Sequence, residues 1–204
     1  MKDYLAIVMA AGLSRRSGFQ KLLKDLNGKK LYEYIFDTLS ELDFAEVLVV
    51  SNLDELKSSA KSLNFSHIYN PEAESGKAST IRLGTEYFVK RIKDKSYARE
   101  IKGIYFFVCD QPFISKETIL DIRNKFELEG SERIIYPVYI GEQGKKRRGN
   151  PIVFPLESCQ LLMELRGDEG GVKLIDDGFA SKSLELERFQ ESADFDRAED
   201  FKTL

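Results

Sequence analysis

Tyr4-Leu5-Ala6-Ile7-Val8-Met9 runs directly into Ala10-Ala11-Gly12-Leu13-Ser14-Arg15-Arg16-Ser17-Gly18-Phe19-Gln20-Lys21. The first six residues are apolar and partly β-branched over a strand's length, which reads as a buried strand. The small residues that follow let the backbone turn sharply and approach a ligand closely at Gly12. Arg15, Arg16 and Lys21 then place three cations within seven residues. A tight turn of backbone N–H groups beside fixed cations suits a polyphosphate. The plain alternative is a βα turn with a solvated basic face. Spacing excludes two familiar phosphate loops. A dinucleotide fingerprint needs G-x-G-x-x-G, and only Gly12 and Gly18 are present. A Walker A loop needs a second glycine followed at once by lysine, whereas position 17 is serine and the lysine comes at Lys21.

The rest of the chain alternates strand and helix patterns. Asn27-Gly28 is a turn signal. Leu31, Ile35, Leu39 and Leu42 recur at helical spacing, Val47–Val50 is a second strand, Asp54–Leu63 a helix capped by Asn52 or Asp54, and Phe65–Tyr69 a short third strand. This order predicts a doubly wound α/β fold with a mostly parallel sheet. A helix is expected from Ala78 to Arg91, a strong strand over Ile104–Cys109, and a helix over Lys116–Leu128 capped by Ser115. Ile134–Tyr139 reads as a strand in which Pro137 signals an edge or a bend. The glycine-rich basic tip Gly141–Arg148 then returns through Gly149-Asn150-Pro151-Ile152-Val153-Phe154 as a small β-hairpin insertion. Leu161, Leu162 and Leu165 form a short helix face, and Ser183–Leu186 a last strand. No internal repeat or linker divides the chain, so residues 1–204 read as one domain.

The composition bounds the function. At 204 residues, with 42% hydrophobic and 32% charged side chains, the chain is of globular type. A net charge of −3 argues against nucleic acid as the main partner. No apolar stretch approaches the roughly 18 residues of a membrane span, and Tyr4–Met9 is too short for a secretory leader, so a cytoplasmic protein is expected. Cys109 and Cys159 form no metal-ligand pattern and read as small buried residues. His67 is the only histidine, so no multi-histidine metal site is available.

Four further segments carry candidate chemistry. Gly76, Ser79 and Thr80 stand at a helix start, where they either cap the helix or present N–H and hydroxyl groups to a nucleotide. Cys109-Asp110-Gln111-Pro112 sets a carboxylate at the C-terminal edge of the strongest strand, where open α/β sheets bind ligands. Arg166–Lys173 is glycine-rich, and Asp194-Phe195-Asp196-Arg197-Ala198-Glu199-Asp200 is acidic. A-A-G-x-S-x-R-x-G-x-x-K, followed in order by G-x-x-S-T-I-x-x-G, C-D-Q-P, G-N-P-I-V-F, G-D-x-G and D-F-D-x-x-E-D, resembles the molybdenum cofactor cytidylyltransferase family of the nucleotidyltransferase superfamily. Ala78 departs from that pattern, as do Arg197 and Ala198.

The resemblance implies transfer of CMP from CTP to the phosphate of a molybdopterin-type acceptor, with release of pyrophosphate. It implies nucleotide contacts from Ala10, Ala11, Gly12, Ser14, Arg16, Lys21, Gly76, Ser79 and Thr80. Arg148, Gly149, Asn150, Gly167 and Asp168 are implied on the acceptor side, and a recipient molybdoenzyme is an implied partner. Mg²⁺, or Mn²⁺, is implied between Asp110 and Asp196, although the motif leaves open whether Asp194 or Asp196 is the second ligand. Arg16, Lys21 and Asp110 are the implied catalytic groups. Two other readings stand beside this one: a different small-molecule nucleotidyltransferase, using a sugar phosphate or GTP, and a non-catalytic cofactor chaperone.

Overall fold

The computed structural model describes residues 1–12, 20–197 and 199–202. In chain order the elements are β1 (Tyr4–Ala10), β2 (Asp25–Leu26), β3 (Lys29–Lys30), α1 (Leu31–Ser40), β4 (Glu46–Ser51), α2 (Asp54–Ser62), β5 (Ser66–Ile68) and α3 (Lys77–Lys93). They continue as β6 (Gly103–Val108), α4 (Lys116–Leu128), β7 (Ile134–Ile140), β8 (Lys146–Arg148), β9 (Ile152–Pro155), α5 (Cys159–Glu164), α6 (Val172–Asp176) and β10 (Ser181–Leu186). The main sheet runs β10-β7-β9-β6-β1-β4-β5, with β8 added beside β7. β1 pairs in parallel with β4 and β6, β4 with β5, and β10 with β7, whereas β9 is antiparallel to both β6 and β7.

The continuous apolar strands follow from this layering, because helices cover both faces of the sheet. Tyr4, Ala6 and Val8 of β1 point into one layer with α1, α2 and α4 through Leu31, Ile35, Leu56, Ile122 and Phe126. Leu5 and Ile7 point into the other layer with α3, α5 and α6 through Ala78, Ile81, Phe88, Leu162 and Leu174. Each fully buried side chain of this kind contributes roughly 1.5–3 kcal/mol. α3 sits close on β1 because Gly84 has no side chain: a Cβ there would meet Ile7 at 3.0 Å. Asn27 and Gly28 take positive φ at 54° and 83°, the turn that joins β2 to β3. Among the described residues no helix is long and apolar enough to cross a membrane.

Four local expectations are corrected. α2 is capped by neither Asn52 nor Asp54: Leu53 holds the cap position without a side-chain bond, and Asn52 pairs with the backbone of Asn70 instead. Pro137 does not mark an edge strand, since β7 lies inside the sheet. Its missing N–H costs no ladder bond on the side where β7 changes partner from β9 to β8, and its carbonyl accepts from Gly149 N at 3.0 Å. The returning arm after the basic tip is two strands, not one. β8 pairs with β7, and after the cis Asn150–Pro151 bond β9 crosses into the sheet between β7 and β6. Leu161 stands out on the exposed side of α5, while Leu162 and Leu165 are buried.

Candidate active site

The chain leaves β1 for β4 on one side and later fills β6 on the other, so the strand order reverses between β1 and β6. Ligands of open α/β sheets bind at such a switch point, beyond the carboxyl ends of the strands. A cleft of about 610 Å³ lies there. The end of β1 supplies Ala10, Ala11 and Gly12, the end of β6 supplies Asp110, the start of α3 supplies Gly76, Lys77 and Thr80, and the C-terminal segment supplies Asp194 and Asp196.

Lys21 stands at the centre. It opens a single 3₁₀ turn, Lys21–Leu23, whose Leu22 is buried, so the turn is anchored while the lysine reaches into the cleft. Lys21 Nζ donates to Asp110 Oδ2 at 2.6 Å and to Asp196 Oδ1 at 2.7 Å. Burial pulls the lysine pKa down, but the two carboxylates outweigh it and raise the pKa above the ordinary value. Asp110 reaches this position because β6 ends two residues earlier. Asp196 reaches it because Phe195 is anchored on both sides: its N–H donates to Asp110 O at 3.0 Å, and its ring is buried against Phe113 and Phe201.

The start of α3 forms the opposite wall. Gly76 has φ +98°, and a Cβ there would lie 2.3 Å from Gly167 O, so the two glycine loops meet backbone to backbone. Ala78 N donates to that same carbonyl at 3.0 Å. The first turn of α3 carries no acidic side chain, and the N-terminus of a helix favours an anion. Asn70, almost fully buried, donates from Nδ2 to Ser79 Oγ and Thr80 Oγ1, both at 3.0 Å. Ser79 Oγ donates in turn to Gly76 O at 2.8 Å, so its hydroxyl is committed inside its own helix cap.

The structure therefore brings Ala10, Ala11, Gly12, Lys21, Gly76, Thr80, Asp110, Asn150, Asp168 and Asp196 around one cleft. Ser14 and Arg16 lie outside the described residues. Ser79 and Gly167 support the wall from behind. Arg148 is directed away, to Asp176 at 3.2 Å and over the Tyr136 ring. Gly149 is required by packing, since a Cβ would fall 2.4 Å from the Tyr139 ring. Three cations of the basic tip are ion-paired, Lys146 with Glu185, Arg147 with Asp194 and Arg148 with Asp176, and Lys145 lies over the Phe189 ring. His67 lies on β5, bonded to Ser51 Oγ at 3.0 Å. Both cysteines are buried, and burial pushes the Cys159 thiol up to about 12. Sequence reasoning placed Gln111 in a candidate motif and Arg147 in the basic tip but assigned neither of them, nor Asn70, the partners seen here, which are distant in the chain.

Over residues 6–185 the chain matches the family described as the MobA-like NTP transferase domain. A probable molybdenum cofactor guanylyltransferase of Natranaerobius thermophilus is 31% identical over 138 residues, covering 67% of this chain and 60% of that protein. The chain thus spans less than two thirds of that relative's length. Among solved structures, the homologue of Mycobacterium tuberculosis Rv0371c from Mycobacterium sp. strain JC1 superposes with a TM-score of 0.75 at 20% identity, covering 98% of this chain and 94% of that one. Rv0371c itself, in complex with manganese, superposes with a TM-score of 0.62 at 18% identity, covering 90% and 88%. At these identities the likeness is one of fold.

Proposed function

The chain belongs to the MobA-like NTP transferase domain family, and on that premise we propose that it catalyses attack by an acceptor phosphate monoester on the α-phosphate of a nucleoside triphosphate, releasing pyrophosphate. The observation that carries this reading is Lys21 clasped by Asp110 and Asp196 at the carboxyl ends of β1 and β6. A phosphate monoester is already ionised near neutral pH, so the reaction needs no protein base. The only histidine accordingly lies outside the cleft. Catalysis then rests on positioning and on charge placed where charge develops. Lys21, together with Arg16, holds the triphosphate and stabilises the leaving pyrophosphate. Among the described residues nothing lies within 4 Å of where a Cβ on Gly12 would stand, which suits a phosphate against the main chain.

Asp110 and Asp196 fit a divalent cation. Both present oxygen, and both come within 2.7 Å of a single nitrogen. Oxygen ligands suit Mg²⁺ or Mn²⁺. Among the described residues no group of three or more His, Cys, Asp or Glu side chains is placed to hold a metal, so substrate phosphates and water would complete the shell, as is usual for Mg²⁺. Such a cation, held by Asp110 and Asp196, would supply positive charge that offsets charge developing at the α-phosphate. The manganese complex of Rv0371c supports the same class of ion.

The acceptor we propose is molybdopterin, supported by the resemblance of the motifs and by the name of the Natranaerobius relative. The donor we propose is CTP. Ala11 lines the cleft at a position where the related guanylyl-transferring branch has glycine, and its added methyl would disfavour a two-ring base. The relative's name favours a second reading, GTP. Pyrophosphate release with each of the four nucleoside triphosphates, with and without molybdopterin, separates them. CTP is expected to exceed GTP in kcat/KM by roughly 10–200-fold, the discrimination one methyl supplies, and Ala11→Gly should narrow the gap. A preference for GTP establishes the second reading. No acceptor-dependent release with any triphosphate sinks the transferase reading itself.

A further inference from the structure

Asp194 and Asp196 stand two residues apart, and both line the cleft, yet their partners differ entirely. Asp196 faces Lys21. Both oxygens of Asp194 are taken by other donors: Gln111 Nε2 at 2.6 Å on Oδ1, and Arg147 Nη2 on Oδ2. An ionised carboxylate only accepts hydrogen bonds, so it fixes which way the Gln111 amide is turned. The Gln111 nitrogen must face Asp194, and its Oε1 therefore faces Asn150, whose Nδ2 donates to it at 3.3 Å. Asn150 is held at its backbone as well, where its carbonyl accepts from Tyr139 OH at 2.7 Å. Gln111 is almost fully buried, so water does not compete for this chain of bonds. With Nδ2 turned toward Gln111, Asn150 directs Oδ1 the other way, and Oδ1 has no partner among the described residues.

We propose that Asp194 is a positioning residue, not a metal ligand: it orients the Gln111 and Asn150 amides in series, so that Asn150 offers a carbonyl oxygen to a hydrogen-bond donor, an N–H or O–H group, on the acceptor substrate. Arg147 holds the free end of the relay and ties the basic tip of the β7–β8 ribbon to it. The role rests on the transferase reading of the cleft. It assigns the two aspartates separate tasks, Asp196 toward the triphosphate and cation, and Asp194 toward the acceptor wall.

The test uses the full chain and five variants: Asp194→Ala, Asp194→Asn, Asn150→Ala, the double variant Asp194→Ala/Asn150→Ala, and Asp196→Asn. Pyrophosphate release with molybdopterin should show acceptor KM raised roughly three- to tenfold in each single variant at Asp194 or Asn150, as for loss of one hydrogen bond, with the KM for the nucleotide within about twofold. The double variant should be no worse than the poorer single one, because the two residues act through one contact. Mn²⁺ affinity, titrated by electron paramagnetic resonance, should be unchanged in Asp194→Asn and weakened in Asp196→Asn. Side-chain amide resonances of Gln111 and Asn150 should both move toward solvent-exposed positions in Asp194→Ala, a result independent of any acceptor. Multiplying effects in the double variant, an unchanged acceptor KM, or Mn²⁺ affinity lost in Asp194→Asn overturns the assignment. If the wild type does not turn over molybdopterin, the acceptor reading fails, and the amide resonances alone decide whether Asp194 orients the relay.

Discussion

At the scale of single residues, the cleft is governed by one cation between two anions. Lys21 bridges Asp110 and Asp196 at 2.6 and 2.7 Å, and its raised pKa keeps it charged throughout the neutral range. A group raised in this way contributes stability fully below its unfolded value, about 10.4, and loses it only as pH rises through the folded value. The lysine therefore competes at neutral pH with any divalent cation for the same oxygens, and a triphosphate relieves the competition by offering the lysine another anion. Lys21→Met is expected to raise Mn²⁺ affinity in the nucleotide-free protein by about tenfold or more, equivalent to roughly 1.4 kcal/mol, while weakening nucleotide binding. Unchanged Mn²⁺ affinity in a folded variant would remove the competition. Lys21 and Asp110 were legible in the sequence because each sits at a fixed offset from a strand end. Asp194 and Asp196 were not separable there, since both are aspartates of one segment. What distinguishes them is Gln111 and Arg147 on one side and Lys21 on the other, residues 47 to 175 positions away.

At the scale of elements, two junctions hold the layers together, one at the cleft and one away from it. The first is the contact of Gly76 with Gly167. Gly76 lies at φ 98° and ψ 176°, a region essentially reserved for glycine. Gly76→Ala adds to that strain a Cβ 2.3 Å from a backbone oxygen, which only a shift of the whole loop relieves. Gly130 provides the comparison, with φ +73° and open space around it. Gly130→Ala is expected to cost about 1–2 kcal/mol and Gly76→Ala clearly more, with a melting temperature lower by roughly 2–4 °C for each additional kcal/mol. Equal losses would mean that the two loops do not constrain each other. The second junction lies at the opposite end of the sheet. Glu46 of β4 accepts from Ser66 of β5, from Tyr87 and Arg91 of α3, and from Tyr97, at 2.6–2.8 Å. Burial pushes its pKa up, but the hydroxyl donors and Arg91 outweigh it, and the net shift is downward. A depressed carboxylate contributes stability above its unfolded pKa, about 4.3, and loses it as pH falls through the folded value. Glu46→Gln should thus destabilise the protein at pH 7, by about 1–3 kcal/mol in urea unfolding, and the difference should shrink as pH falls below about 4. A gap that persists at low pH would assign the loss to packing rather than charge. The sequence announced none of this clamp: Lys90–Glu100 reads as a solvated stretch, and only the fold brings Arg91 and Tyr97 to Glu46. The placement of β9 was hidden for a related reason, because its apolar run has a strand's length but no mark of the partners it inserts between.

At the scale of the whole molecule, the order of apolar runs was enough to indicate a doubly wound sheet, because strands covered by helices on both faces leave continuous hydrophobic stretches at strand length. The antiparallel placement of β9 left no comparable trace. The resulting architecture puts the cleft where the β1 end, the start of α3, the end of β6 and the C-terminal segment all converge, so one ligand touches elements from every part of the chain. A ligand that binds only this assembled state stabilises the entire domain by mass action. At a free concentration about 100 times its dissociation constant, a nucleoside triphosphate with Mg²⁺ or Mn²⁺ should add roughly 2.7 kcal/mol. For a chain of this length that is a rise of about 5–10 °C in melting temperature. CTP is expected to give a larger shift than GTP at equal concentration. In Asp110→Asn the shift should persist in part without metal, through Lys21, but should no longer grow when metal is added. A metal-dependent increase of wild-type size in that variant would place the cation elsewhere than between Asp110 and Asp196. An absence of any nucleotide-dependent shift in the wild type would show that the cleft binds no triphosphate, whatever its likeness to proteins that do.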